Sequence, residues 1–272
     1  MTDPSLNKPP EKSIFAGIDD LIELRFDIWD IGTRQPRYRN AKAGRKLSRE
    51  RSALGAEMLV EQMLDQIHFN WRSFGTERQP STENWRFKKQ LYIAAENESR
   101  EKTLEKAISR AAGDAWVNQV PTASGLVSAT SDRSRNLDLV CQSAPGRFEF
   151  IELKFKSDNP LFAAIEILKA GVLYIFARSL TSKDSESPLL KAKAVHLRVL
   201  APLAYYRGHR LDWLETAFST GLQNAVNKRS GSQAFTMDFM FGAFPANFEW
   251  PCSDEALVSS LAQRAPVSWS ID

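Results

Sequence analysis

The chain has 272 residues, of which 43% are hydrophobic and 25% charged, so it is long and apolar enough for one large or two small globular domains. Its 36 Lys and Arg against 33 Asp and Glu give a formal net charge of +3, too small to indicate nucleic-acid binding by charge alone. Two cysteines exclude a disulfide framework, and the wide spacing of the 13 glycines excludes the GxGxxG, Walker A and GxSxG motifs.

No segment of the sequence predicts export or membrane insertion. The first ten residues contain no apolar run, which argues against a signal peptide. The most apolar stretch, 161–177, is interrupted by Glu166 and Lys169 and is short for a membrane span. We therefore expect a cytoplasmic protein with no membrane partner.

The N-terminal third predicts helices. Residues 1–12 are polar and proline-rich and predict a flexible tail, and 13–95 predict a helical extension. Within it, 14–31 predict a short helix or an irregular packed segment. Residues 52–71 predict an amphipathic helix because apolar side chains recur every three or four positions. These side chains are Leu54, Met58, Leu59, Met63, Ile67 and Trp71.

A basic stretch at 34–51 precedes that helix. It contains eight basic residues and one acid, Glu50; the basic residues are Arg34, Arg37, Arg39, Lys42, Arg45, Lys46, Arg49 and Arg51. One interpretation is a solvated loop and helix face. The other is an arm that contacts phosphates of a nucleic acid.

From residue 97 onward helices and strands alternate. A helix at 97–112 ends at Gly113, the expected position for a helix stop. The remaining predicted elements are strands at 115–120, 136–142 and 147–156, a helix at 161–178, a strand at 194–201, a helix at 211–228 and a strand at 235–244. This order predicts an α/β fold with a mixed central sheet flanked by helices, a core domain at 96–250, and a C-terminal tail at 251–272 with a short helix near 255–263.

The strand at 147–156 carries charges among apolar residues. Because alternate residues of a strand share a face, Glu152 and Lys154 point the same way, together with Phe148 and Phe150. If the hairpin loop is residues 143–147, each position i pairs with position 290 minus i, and a four-residue loop shifts the pairing by only one. That register places Asp138 opposite Glu152, with Cβ atoms about 5 Å apart.

Two opposed carboxylates repel each other unless a proton or a cation lies between them. A hard divalent ion such as Mg2+ suits two carboxylates and water, and an ion held in this way can activate water to attack a phosphodiester. The alternative is a solvent-facing row of salt bridges, which is common for an ExK sequence within a strand and contributes little stability.

These residues resemble the PD-(D/E)xK nuclease superfamily, which has a restriction-endonuclease-like fold. The matching residues are Asp138 on the second core strand and Glu152 and Lys154 on the third, and the likeness covers roughly 97–200. Leu137 stands where the family pattern has proline. The resemblance implies a restriction-endonuclease-like core in which Asp138, Glu152 and the Leu153 carbonyl bind Mg2+ or Mn2+ and Lys154 assists the nucleophile.

The resemblance also implies a glutamate on the first core helix. Glu105 is favoured because it lies beside Leu104, and Glu101 is the second choice; an exposed helix charge is the alternative for both. Glu166 and Lys169 could line the cleft or form an ordinary helix-surface pair. The polar residues of the stretch before the hairpin could contact a ligand backbone, or they could simply form a turn-rich loop; they are Asn118, Gln119, Ser124 and Ser128. Two histidines and three tryptophans are expected to be structural, namely His196, His209, Trp116, Trp213 and Trp250.

The predicted function is a metal-dependent nuclease acting on nucleic acid, with DNA favoured over RNA. Cutting both strands of a duplex would require two active sites, which makes a homodimer a plausible assembly. Two alternatives remain open. One is a catalytically silent member of the same fold that binds nucleic acid or protein, and the other is an unrelated α/β interaction protein.

Overall fold

A computed structural model describes residues 12–33, 35–50, 55–75, 80–90, 99–128, 132–180, 186–229 and 235–269. The predicted tail at 1–12 therefore lies outside the described residues, except for its last position. Arg34 and Arg51 of the basic stretch and Leu54 of the predicted helix also lie outside them.

The strands form one mixed sheet whose spatial order follows the chain. They are β1 (Trp116–Pro121), β2 (Asn136–Ala144), β3 (Arg147–Leu153), β4 (Ala194–Pro202), β5 (Thr236–Phe244) and β6 (Ala265–Pro266). Strands β1, β2 and β3 are antiparallel, β3, β4 and β5 are parallel, and β6 returns antiparallel to β5. The prediction of an α/β fold with a mixed sheet is confirmed.

Helices cover both faces of this sheet. They are α1 (Ile18–Arg25), α2 (Ala41–Glu50), α3 (Ala56–Phe74), α4 (Arg100–Ala111), α5 (Pro160–Leu180), α6 (Asp212–Arg229) and α7 (Asp254–Ala262). Each predicted helix is present, with ends displaced by a few residues. Within the apolar stripe of α3, which the pattern assigns to the core or to an interface between protomers, Met58 is 57% exposed, whereas Leu59, Met63 and Ile67 are buried.

The two faces of the sheet enclose separate apolar clusters. Phe148 and Phe150 of β3 belong to the larger cluster, which also takes in α3, α5, α6 and the N-terminal segment. Ile151 and Leu153 point to the other face and pack with α4 and α7. This alternation confirms the predicted sidedness of β3.

Helix α5 is apolar around most of its circumference because it lies between the sheet and the N-terminal helices. It is longer than predicted. Among the described residues, α5 is the one helix whose length and apolar composition would suffice to cross a membrane. About 78% of that apolar window is buried inside the structure, as in the core helix of a soluble protein.

Strand β3 is shorter than predicted and ends at Leu153 rather than at Lys156. The Lys154 backbone N–H still donates to the Leu200 carbonyl, after which the chain bends toward α5. Asp158 adopts a positive φ of 58°, and the Asn159 side chain then accepts hydrogen bonds from the first turn of α5. Lys154 therefore stands at the carboxyl end of a parallel strand, where ligands of such sheets commonly bind.

Candidate functional site

The β2–β3 hairpin brings the two predicted carboxylates to adjacent strands. Leu139 pairs with Ile151, so the register has the predicted sum of 290; the paired positions end there, and Asp138 and Glu152 are the next residues of the two strands. The predicted loop at 143–147 is wrong, because both strands continue to a tighter turn. The pairing from Gln142 to Leu139 nevertheless keeps the predicted register, because an irregularity between Gln142 and Ala144 shifts the register by one residue next to the turn.

Glu152 and Lys154 form a mostly buried pair, with 2.7 Å between Nζ and Oε1. Burial and the neighbouring Asp138 carboxylate raise the pKa of Glu152 to about 8, and they outweigh the opposing effect of Lys154. Burial lowers the pKa of Lys154, but the carboxylates of Glu152 and Asp138 raise it further, so the ammonium stays protonated. The lysine of this pair is therefore a permanent positive charge.

Asp138 has a backbone partner and an ammonium partner. Its Oδ2 accepts a hydrogen bond of 3.0 Å from the Leu153 backbone N–H. Its Oδ1 lies 3.2 Å from the Nζ of Lys102 on α4. The side chain is thus held between β3 and α4, at the same edge of the sheet as Lys154.

Helix α4 presents Glu105 to this edge, as predicted for the helix glutamate. Glu105 is 1% exposed, and it accepts hydrogen bonds of 3.0 Å from the side-chain amides of Asn118 and Gln119 on β1. Lys102, one turn earlier, contacts it at 2.7 Å. Burial and the Asp138 carboxylate raise the pKa of Glu105 to about 6.

Lys102 therefore lies between two acidic side chains, Glu105 and Asp138. Burial lowers the pKa of Lys102, but Asp138 and Glu105 together raise it. The sequence reasoning missed this residue, because a lysine three positions before a glutamate is the ordinary signature of a helix-surface pair. Asn118 and Gln119 lie in β1, within the predicted strand at 115–120, and their side-chain amides hold Glu105.

Glu101 does not join this cluster. Its Oε1 accepts hydrogen bonds from the Phe155 backbone N–H at 2.8 Å and from the Ser157 hydroxyl at 2.6 Å. These contacts secure the bend that follows β3. Glu101 thus positions the chain that carries Lys154.

Glu166 and Lys169 of α5 lie on the far side of Glu152. Lys169 is buried and contacts Asp19 at 2.8 Å and Glu166 at 3.2 Å. A cavity of about 50 Å3 opens between Glu152, Glu166 and Lys169. It has room for an ion with some water, whereas a small-molecule pocket takes about 300 Å3 or more.

The donor chemistry of the edge fits a hard cation. Asp138 and Glu152 are oxygen donors, and burial and the Asp138 carboxylate raise the pKa of Glu152; the small cavity is lined by Glu152 and not by Asp138. Within the part of the chain that the structure describes, no three His, Cys, Asp or Glu side chains converge closely enough to hold a metal ion. A bound ion would therefore need water or backbone oxygen as further ligands.

The remaining polar predictions fall elsewhere. His196 contacts Asp238 at 2.7 Å between β4 and β5, and the His209 ring packs on Gly44 of α2. Trp116 is buried in the smaller apolar cluster, as expected. Ser124 accepts hydrogen bonds through its backbone carbonyl from Ser81 and from the Asn84 amide, which explains it as part of a packed turn.

Comparison with known proteins finds no matching family model, no matching curated protein and no matching solved structure.

Proposed function

We propose that the protein is a metal-dependent nuclease of the cytoplasm that hydrolyses phosphodiester bonds, with DNA as the favoured substrate. The observation that carries this proposal is the placement of Asp138 and Glu152 on adjacent strands, with the Lys154 ammonium 2.7 Å from Glu152 at the same strand end. The preference for DNA and the restriction-endonuclease-like core follow from the resemblance to PD-(D/E)xK nucleases.

Asp138, Glu152 and the Leu153 carbonyl are the groups that would hold Mg2+ or Mn2+. Such an ion, when bound, polarises a phosphate oxygen and lowers the pKa of a water molecule. Asp138 is prepared for this role because its Oδ2 is oriented by the Leu153 N–H. Glu152 must give up the proton that burial and Asp138 favour.

Lys154 contributes positive charge. Because Glu152 and Asp138 raise its pKa, Lys154 is protonated and cannot act as a general base near neutral pH. It can donate a hydrogen bond to a phosphate oxygen as negative charge develops in the transition state. Glu105 acts through others, since it orients Lys102 and thereby Asp138.

A second function is favoured by one observation. The Lys102 ammonium lies between Glu105 and Asp138, at 2.7 Å and 3.2 Å, and already neutralises the acidic edge. Because the Lys102 ammonium offsets the charge of these carboxylates, the fold can be stable without a bound metal ion. The second candidate is therefore a catalytically silent subunit that binds nucleic acid or protein.

The test is a cleavage screen over single- and double-stranded DNA and RNA with Mg2+ or Mn2+. Lys154→Met removes the charge and keeps most of the volume, and it should reduce the rate by about 100- to 1,000-fold. Lys156→Met is the matched control, because Lys156 is exposed two residues later and should retain full activity. Cleavage that survives in Lys154→Met would contradict the assigned role.

Metal binding separates the two candidate functions. Millimolar Mg2+ should raise the melting temperature of the wild type, and Asp138→Ala should abolish the increase. Absence of both cleavage and metal stabilisation in the wild type would favour the silent subunit.

A further inference from the structure

Helix α2 presents a basic stripe to solvent. Lys42, Arg45 and Arg49 follow one another at three- and four-residue spacing and are all exposed. Among the described residues, none of the three forms an ion pair, whereas Lys46 beside them pairs with Asp27 and Glu50. Three cations on one helix face without a partner carry a positive charge as large as the net charge of the whole chain.

The stripe is held firmly at the edge of the sheet that carries the candidate site. The Asn159 amide, which caps α5, donates to the carbonyls of Tyr38 and Arg39, directly before α2. Arg39 forms an ion pair with Asp158, four residues after Lys154. The start of α2 is therefore tied to the same chain segment that leaves β3.

The other end of α2 is also anchored. Gly44 lies so close to the His209 ring that a Cβ atom would approach it to 3.0 Å. The Ser48 hydroxyl accepts a hydrogen bond from the Arg210 backbone N–H. These contacts bring the loop after β4 against α2, and with it the exposed side chain of Arg207.

An exposed aromatic residue lies next to this stripe. Trp29 is 61% exposed, and its Nε1 donates to the Asp27 carboxylate at 3.2 Å. Lys46 of α2 donates to the backbone carbonyl of the same Asp27. The indole is thus tethered beside the basic helix with most of its surface available to a partner.

We propose that Trp29, Lys42, Arg45 and Arg49, here called the α2 platform, bind single-stranded nucleic acid. Lys and Arg contact phosphates along the strand, and the indole stacks on an unpaired base, the combination that single-strand binding surfaces use. The choice of nucleic acid among polyanions rests on the proposed function. The α2 platform would hold the strand beside the edge where Asp138 and Glu152 lie.

An anionic membrane is the competing partner for a basic surface, but α2 itself is poorly suited to it. Its exposed positions are Ala41, Lys42, Arg45, Arg49 and Glu50, with no large apolar side chain to enter the lipid. One exposed tryptophan beside three cations suits a nucleic-acid strand with one stacked base better than it suits a lipid surface.

The test measures binding of a fluorescent single-stranded oligonucleotide by anisotropy over a range of salt, in EDTA so that no cleavage occurs. A plot of log K against log salt has a negative slope. The triple variant Lys42→Gln, Arg45→Gln, Arg49→Gln should make that slope less steep by about 2, since each lost phosphate contact contributes about 0.7. The control variant removes three exposed charges at the opposite strand ends, namely Arg147→Gln, Lys191→Gln and Lys193→Gln, and should keep the wild-type slope.

Trp29→Ala should weaken single-strand binding by about 5- to 150-fold, with little effect on a duplex of the same length. Phe69→Ala, which removes another exposed aromatic side chain, should leave both affinities unchanged. Equal salt slopes in the wild type and the triple variant would overturn the proposal, and so would binding to anionic vesicles but not to the oligonucleotide.

The outcomes distinguish this proposal from the nuclease assignment. Binding that depends on the α2 platform in a protein that never cleaves would support the platform and refute the nuclease. If the wild type cleaves nucleic acid but single-strand binding is unchanged in both the triple variant and Trp29→Ala, the nuclease assignment would be supported and the α2 platform refuted.

Discussion

The Asp138 carboxylate raises the pKa of Glu152, so Asp138→Asn should change how the stability of the metal-free protein depends on pH. Glu152 has an ordinary pKa of 4.5 and one of about 8 in the folded protein. Between these values the folded state binds more protons than the unfolded state. The contribution of Glu152 is therefore fully present below about pH 4.5 and is lost as the pH rises to about 8.

The size of the effect follows from the hairpin geometry. Side-chain charges on opposed positions of neighbouring strands lie roughly 6 Å apart, and two unit charges at that separation interact by about 3 kcal/mol at an effective dielectric constant near 20, which is roughly two pKa units. Asp138→Asn should therefore lower the pKa of Glu152 from about 8 toward about 6. The pKa of Glu105, raised to about 6 by burial and by Asp138, should fall as well.

Urea unfolding in EDTA at pH values from about 5 to about 8 measures this difference. The free energy of unfolding of Asp138→Asn, relative to the wild type, should increase by about 2 kcal/mol across that range. The control is Asp114→Asn, because the Asp114 side chain is exposed and its ion-pair partner is Lys89 rather than a residue of the cluster.

Any constant loss from breaking the Lys102 contact shifts the Asp138→Asn curve without changing its slope. Parallel curves for the wild type and Asp138→Asn would refute the reasoning, because they would mean that Asp138 does not influence the protonation of Glu152.

Three further substitutions test the packing and the site. Asn159→Ala should destabilise the protein by about 2–3 kcal/mol in urea unfolding, because it removes the α5 cap and leaves two carbonyls without their donor; a loss below about 0.5 kcal/mol would contradict this. Gly221→Ala places a Cβ atom 2.5 Å from the Glu57 carbonyl oxygen and should cost about 1–3 kcal/mol in the same assay, unlike Ala at exposed Gly208, where only backbone strain is added. Lys102→Met removes the resident ammonium and should tighten Mg2+ binding in calorimetry by about tenfold; weaker binding would show that Lys102 supports the metal.

The fold was largely predictable because its elements have strong local periodicity. The β2–β3 register was correct although the loop was not, since apolar alternation on both strands determines pairing more strongly than turn length. Strand β6 could not be predicted, because two residues, Ala265 and Pro266, carry no period. The end of β3 was missed because Phe155 and Lys156 continue the alternating pattern beyond the bend.

The candidate site was predictable where the hairpin register placed its residues and where the family resemblance named a helix glutamate, Glu105. Asp138, Glu152 and Lys154 follow from the hairpin alone. Lys102 reaches Asp138 because α4 crosses the end of β2, a tertiary arrangement that no spacing in the sequence encodes. For the same reason the sequence could not show that Asn118 would hold Glu105.

The charge balance of the cluster decides between the two candidate functions. Glu105, Asp138 and Glu152 carry three negative charges when ionised, and Lys102 and Lys154 return two positive charges. The proton on Glu152 supplies the third positive charge near neutral pH. A divalent ion must therefore displace that proton and weaken the Lys102 contact, so metal binding should strengthen with pH up to about 8. A silent subunit has no need for that exchange, and its Glu152 would keep its proton whether or not Mg2+ is present.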